Sequence, residues 1–228
     1  MKKLIFIDAD DTLWENDLFF RKAEEEFAAL LAPHADVEQV RRVLWQKQEE
    51  NIPWWGYGSK TYLLGMLDAA LEICGDSLDG KTYREIKAMI TRLAFHKLEV
   101  WEGVEDTLAK LSCSYDLILT TKGDVVEQLV KARKSGLMKY FRGAEVLPNK
   151  DEADYLELAV KYGIAREDII MVGNSVRSDI IPVINIGGIA VYIPCEILWT
   201  HEQGELPQSD RLIQLERFSQ LTAALRKF

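Results

Sequence analysis

The chain has 228 residues, enough for one substantial core with room for a smaller accessory domain, and its 48% hydrophobic and 29% charged residues exclude a disordered chain or a disulfide scaffold. Lys and Arg number 28 against 37 Asp and Glu, a formal charge of -9. No nucleic-acid surface and no membrane-binding surface is therefore expected, and an anionic substrate would need a locally positive pocket. Cys74, Cys113 and Cys195 are scattered and odd in number, so they read as buried or partly buried free thiols.

The apolar run Leu4 to Ile7 predicts a buried strand, and Asp8-Ala9-Asp10-Asp11-Thr12 predicts the polar turn that ends it. That run is too short for a signal peptide and no other approaches membrane-spanning length, so a cytoplasmic protein is expected. The pattern then turns helical, with apolar positions at helical spacing over Leu18 to Leu31, Val37 to Glu49, Tyr62 to Cys74 and Tyr83 to Phe95. Asp36, with Gln39 three residues on, marks the start of the second helix; Ser59 can cap the third, and Gly75 stops it. In Trp54-Trp55-Gly56-Tyr57-Gly58-Ser59-Lys60, adjacent aromatics among glycines suit a pocket wall or a closing loop, and equally suit plain packing.

Trp101-Glu102-Gly103 sits where the pattern changes back. A helix to Leu111 is followed by a strand over Leu117 to Thr121, a helix over Val125 to Lys134 and a short strand near Ala144 to Leu147. Next come a helix over Ala153 to Tyr162, a strand over Ile169 to Val172, a helix over Asp179 to Ile186, a strand over Ile189 to Ile193 and a final helix from about Ser219. Repeated βα units imply a parallel sheet covered on both faces. The first strand belongs with these, so the expected domains are an α/β core of residues 1–14 and 99–228 and an all-helical insertion of residues 15–98.

Ligands of open parallel sheets bind beyond the carboxyl ends of the strands. The polar residues at those ends are Asp8 and Asp10, then Thr121, Lys122 and Gly123, then Lys150, then Gly173-Asn174-Ser175 with Asp179. The set suits phosphoryl transfer, which needs a nucleophile, a proton donor and positive charge around the transferring group. Two carboxylates one residue apart can approach a Mg²⁺, Asp8 can attack phosphorus, and Asp10 can protonate the leaving oxygen and later take a proton from water. Thr121 offers a hydroxyl and nearby backbone N–H groups to phosphate oxygens, and Lys150 a cation. Thr12 reads as structural and Ser175 as a local cap. His34, His96 and His201 fit no metal or triad spacing.

The stretch from Leu4 to Leu13, containing Asp8-Ala9-Asp10-Asp11-Thr12, resembles the first motif, D-x-D-x-T, of the haloacid dehalogenase-like (HAD) hydrolase superfamily, and the other places follow in the family's order. The resemblance implies that Asp8 is the nucleophile and Asp10 the acid/base. It makes Thr121 the second-motif hydroxyl, Lys150 the third-motif lysine and Gly173 to Asp179 the fourth motif. It further implies a Rossmann-like core, a helical type-one cap over 15–98 that selects the substrate, an aspartyl-phosphate intermediate, and Mg²⁺ held by Asp8, Asp10, Asn174 and Asp179.

The expected activity is that of a Mg²⁺-dependent phosphomonoesterase acting on a small phosphorylated metabolite, a sugar phosphate or nucleotide, in a monomer or homodimer. Substrate-side candidates are Asp11, Thr121, Lys122, Lys150, Trp55, Tyr57 and Lys60. Two positions depart from the family pattern: Asn174 stands where an acid is usual, and Lys122 where an asparagine is. A 2-haloacid dehalogenase-type C–halogen hydrolase is the first alternative, but such enzymes lack a second acid where Asp10 stands. A catalytically weak relative acting as a binding protein, motivated by Asn174, is another, and a phosphomutase would use the same aspartyl-phosphate.

Overall fold

The computed structural model describes residues 2–195 and 204–227. They form two compact units, one of Met1–Asp17, Leu98–Lys122 and Gln128–Phe228, the other of Leu18–Lys97 with Gly123–Glu127.

The helical unit is built on α1 (Asp17–Leu31), α2 (Val37–Trp55), α3 (Ser59–Cys74) and α4 (Gly80–Ala94). Its own core holds Phe27, Leu31, Val40, Leu44, Met66 and Ile86, all at or near zero exposure. Asp36 caps α2 by accepting from the Gln39 N–H at 2.8 Å, as its sequence position predicts. α2 runs six residues past the expected Glu49, through Pro53, and ends at Gly56, whose φ of 73° closes it in a conformation glycine adopts without strain. Ser59 does not cap α3. It is the first helical residue, and Glu127 Oε2 caps the helix from outside by accepting from Ser59 N at 3.0 Å and Ser59 Oγ at 2.6 Å.

The other unit is a sheet of β1 (Leu4–Ile7), β2 (Asp116–Lys122), β3 (Gly143–Leu147), β4 (Ile170–Gly173), β5 (Ile189–Tyr192) and β6 (Leu212–Gln214). Among the described residues it is six-stranded, in the order 3-2-1-4-5-6, and every pairing is parallel. The helices that accompany it are α5 (Val104–Ser114), α6 (Val125–Lys134), α7 (Glu152–Tyr162), α8 (Ile181–Asn185) and α9 (Leu221–Ala224). The expected α/β architecture, with a helical insertion after the first strand, is what the chain adopts.

β1 explains its own continuous apolar run. Leu4 and Phe6 enter the core on one face of the sheet, with Ile118, Met171 and Tyr155, while Ile5 and Ile7 enter the core on the other, with Leu108, Leu119 and Val172. β1 pairs with both β2 and β4, and the strand order reverses there, so the crevice beyond its carboxyl end is the place such a sheet offers a ligand. Asp8 is the first residue past that end.

Three expectations need correction. β6 was not foreseen, because three residues at a sheet edge fall below the length at which alternation is legible. The helix expected over Asp179 to Ile186 is a wide π-helical turn over Val176–Ile180 that continues as α8. Pro182 has no N–H to give the Ser178 carbonyl, and the Tyr155 hydroxyl donates to that carbonyl instead, at 2.8 Å. Cys113 is exposed near the end of α5, whereas Cys74 and Cys195 are partly buried.

Candidate active site

The loop after β1 is tied by short backbone bonds: Leu13 N donates to the Ala9 carbonyl at 2.8 Å and Asp11 N to the Trp14 carbonyl at 2.7 Å. This turn buries Asp8 and Asp11 and leaves Asp10 partly exposed. Thr12 Oγ1 donates to Asp8 Oδ2 at 3.0 Å, the structural role expected of it.

On its other side Asp8 Oδ1 accepts from Lys150 Nζ, which also donates to Asp179 Oδ1 at 2.7 Å. Lys150 is 2% exposed and Asp179 fully buried. Lys150 reaches this position with a φ of 57°, a left-handed conformation costly for a residue with a Cβ. Asp154 Oδ2 holds it there by accepting from the N–H groups of Asn149 and Lys150 at 3.0 and 2.7 Å. Asp179 Oδ2 accepts from Ser175 N at 3.0 Å, and Ser175 Oγ, capping the π-turn, accepts from Ser178 N at 2.9 Å.

One ammonium thus stands between two buried carboxylates. Burial pushes Asp8 above the usual carboxylate range despite the pull of Lys150, and burial together with the Asp8 charge pushes Asp179 up to about 7. Lys150 moves the other way: burial opposes its charge, but Asp179 and Asp8 outweigh that and raise it.

Gly173 allows this packing. A Cβ there would lie 2.1 Å from Asp179 Oδ2 and 2.4 Å from its Cγ. Asp179 is pinned by Lys150 and Ser175 N and has nowhere to go, so Gly173→Ala is expected to displace it, destabilising the fold by about 1–3 kcal/mol and removing most activity. Thermal melting and turnover of the variant check this.

Asp10 faces a different set of partners. Trp14 Nε1 donates to its Oδ1 at 2.7 Å, and Gln128 Nε2 and Lys131 Nζ donate to its Oδ2 at 2.9 and 2.8 Å. Burial opposes the charge of Asp10, but the Lys131 ammonium and the hydrogen bonds from Lys131, Gln128 and Trp14 outweigh it and hold the group below the usual range. Lys131 and Gln128 were not singled out from sequence. They lie three apart on α6, a spacing that puts both on one helix face, yet a polar pair at that spacing usually marks the solvent side.

The remaining sequence candidates divide clearly. Thr121 is buried at the end of β2, and Lys122, the last residue of that strand, donates through Nζ to Ser178 Oγ at 2.8 Å. Asp11 spends both carboxylate oxygens on the start of α1, accepting from Asn16 N at 2.9 Å and from Asp17 N at 3.1 and 3.0 Å. Burial and the neighbouring Asp17 push it up to about 9.

Trp55, Tyr57 and Lys60 belong to the helical unit, where Trp55 is 67% exposed and Lys60 pairs with Asp124 at 2.7 Å. His34 is exposed, and His96 stacks on Phe19 at 3.9 Å. His201 lies outside the described residues.

Asn174 and the backbone of Asp10 complete the centre. The amide end of Asn174 stands 3.2 Å from Asp8 Oδ2, 3.1 Å from Thr12 Oγ1 and 3.3 Å from the Asp10 carbonyl oxygen. In one orientation of the amide its nitrogen faces these groups and donates. Turned over, the amide brings three oxygens together, those of Asp8, Asn174 and the Asp10 carbonyl, which is the hard-oxygen set a Mg²⁺ prefers. Among the described residues no three His, Cys, Asp or Glu side chains cluster as a metal site, so such an ion would draw on carbonyl and amide oxygens with Asp8. The residues present fit the ion.

A family model for haloacid dehalogenase-like hydrolases matches residues 2–187, and the chain belongs to that family. Its fold matches that of a haloacid dehalogenase-like family hydrolase from Xanthomonas campestris, 31% identical, with a TM-score of 0.90 over 99% of this chain and 91% of the other. It also resembles the 2-haloacid dehalogenase of Pseudomonas syringae pv. Tomato DC3000, at 21% identity and a TM-score of 0.68 over 100% and 99% of the two chains. A third similar structure is the HAD-hydrolase YfnB from Bacillus subtilis bound to magnesium, at 17% identity and a TM-score of 0.64 over 98% of each chain. No curated protein matches the chain.

The chain is therefore a HAD-like hydrolase with a helical insertion of the type-one kind between β1 and β2. Among the described residues no helix is long and apolar enough to cross a membrane.

Proposed function

We propose that this hydrolase is a Mg²⁺-dependent phosphomonoesterase acting on a small phosphorylated metabolite. The observation that carries the reading is the pair of carboxylates on one loop with opposite surroundings. Asp8 is buried between a hydroxyl and an ammonium, and Asp10 is partly exposed and fixed by three donors.

Asp8 attacks phosphorus through a carboxylate oxygen, the bond from phosphorus to the ester oxygen breaks, and the leaving oxygen departs as an alcohol with a proton passed on by Asp10, which is ionised in the free site and takes that proton from the monoanion of the substrate's phosphoryl group. Water then attacks the phosphorus of the aspartyl-phosphate and gives a proton to Asp10, and the bond from phosphorus to Asp8 breaks to release phosphate. Thr121 and Lys150 are assigned to the phosphoryl oxygens, Lys122 to the anionic side of the substrate, and the segment 15–98, with Trp55 and Tyr57, to substrate choice.

Asp8, the Asp10 carbonyl and Asn174 are assigned to the ion, which when bound supplies positive charge against the phosphoryl oxygens. Asp179 is assigned to holding Lys150, since both of its oxygens are already engaged.

Phosphate release from a panel of small phosphomonoesters, measured with Mg²⁺ and with EDTA, tests the reading. Release in Mg²⁺ and none in EDTA is expected. Asn174→Asp, which adds a charge to the ion's ligands, is expected to lower the half-activating Mg²⁺ concentration roughly tenfold. Equal activity in EDTA would remove the metal from the account.

A second reading is C–halogen hydrolysis, for which the amide nitrogen of Asn174, when turned toward Asp8 Oδ2, would be a donor 3.2 Å away. Halide release from a 2-haloacid in EDTA, with no phosphate release from any ester, would establish it.

A further inference from the structure

α6 buries two polar side chains. The residues it buries are Gln128, Lys131 and Ala132, while Val125 and Val126 at its start are 54% and 65% exposed. A helix that packs a lysine and a glutamine inward and leaves valines in solvent departs from the ordinary division of polar and apolar faces, and buried polar groups are the informative exceptions.

Two of these buried side chains converge on Asp10, while Ala132 joins the core of the sheet. Lys131, 4% exposed, donates to Asp10 Oδ2 at 2.8 Å and to the buried Asn16 Oδ1 at 2.8 Å. Gln128, also 4% exposed, donates to the same Asp10 oxygen at 2.9 Å and to the Lys122 carbonyl at 3.1 Å. Trp14, from the β1 loop, holds the other Asp10 oxygen at 2.7 Å. Asn16 and the Lys122 carbonyl in turn fix the two α6 side chains, so the donors cannot follow the carboxylate if it moves. Burying an ammonium is costly unless its partners are well placed, and a hydrophobic pair would anchor α6 more cheaply.

We propose that Lys131 is a positioning residue, which with Gln128 sets the place of the Asp10 carboxylate for proton exchange with the leaving oxygen. The inference rests on the phosphomonoesterase reading above. The role is one of place and not of proton supply: the proton reaches the departing oxygen through Asp10, which the substrate protonates, and Lys131 keeps its own three.

Leaving-group dependence separates positioning from mere anchoring. An alkyl phosphate expels a basic oxygen that must be protonated as the bond breaks, whereas 4-nitrophenyl phosphate expels a stable phenolate that needs little help. Because kcat/KM reports the steps through the first phosphoryl transfer, it reads this difference directly.

Wild type, Lys131→Met, Lys131→Arg and Gln128→Leu are to be assayed on both esters in Mg²⁺, with thermal melting to confirm folding. For Lys131→Met the expected loss in kcat/KM is on the order of 10²-fold on the alkyl ester and tenfold or less on the aryl ester, with partial recovery in Lys131→Arg. If Lys131→Met does not fold, Gln128→Leu carries the same comparison, with a smaller but equally unequal loss. Equal losses on the two esters, or no loss in a folded variant, overturn the inference while wild-type activity keeps the phosphomonoesterase reading standing. A wild type that releases no phosphate from either ester overturns both.

Discussion

Asp8→Asn is expected to abolish phosphate release, with a loss of at least about 10⁴-fold in kcat, because an amide cannot form the covalent intermediate that divides the reaction into two steps. The substitution is nearly isosteric: the amide oxygen can still accept from the Lys150 ammonium, and the amide nitrogen then faces the Thr12 hydroxyl, whose oxygen can accept from it. The fold should survive. Removing one carboxylate from a buried cluster of two carboxylates and one ammonium also removes the repulsion between Asp8 and Asp179, so in EDTA the variant is expected to melt no lower than wild type. Activity and stability should therefore move apart, and a variant that lost activity because it unfolded would not behave this way. Phosphate release and thermal melting on the same preparation check both halves.

Lys150→Met is expected to do the opposite to stability. It leaves Asp8 and Asp179 facing one another across a buried space without their cation, and breaking a buried pair in this way costs about 3–5 kcal/mol. For a chain of this size that corresponds to a fall in melting temperature of roughly 10 °C. Turnover should fall by about 10²- to 10³-fold even in the folded fraction, since the cation that steadies the charge developing on the phosphoryl group is gone. Lys150→Arg should recover part of the stability and little of the rate. A planar guanidinium does not fit a point charge held between Asp8 Oδ1 and Asp179 Oδ1. A Lys150→Met protein that melted like wild type would contradict the picture of the buried cluster.

The sheet was largely legible in the sequence because its strands are buried on both faces and read as short unbroken apolar runs between polar turns. Leu4 to Ile7 is the plainest case. β6 was not legible, since three residues at an edge carry no period. The break between Ser175 and Ile186 was hidden too, because its cause is local hydrogen bonding and Pro182, not hydrophobic pattern.

In the site, residues at strand ends were found by the rule that ligands lie there, and the structure brings Asp8, Lys150, Asn174 and Asp179 into one cluster. Lys131 and Gln128 escaped that rule because they lie on a helix, and their polarity there looked like a solvated face. What the sequence could not show is direction: that α6 turns these two polar side chains inward. Asp11 shows the converse. Its place in the motif suggested substrate, while its carboxylate is spent on the first amides of α1.

The central claim is that Asp8 carries a phosphoryl group during turnover. It is tested most directly by acid-quenching the enzyme during steady-state hydrolysis of a small phosphomonoester in Mg²⁺ and measuring the mass of the peptide that contains Asp8. The account predicts the added mass of one phosphoryl group on that peptide in wild type and none in Asp8→Asn. Phosphate release with no phosphorylated Asp8 under any quench condition, or halide release from a 2-haloacid in EDTA with no phosphate release at all, would contradict it.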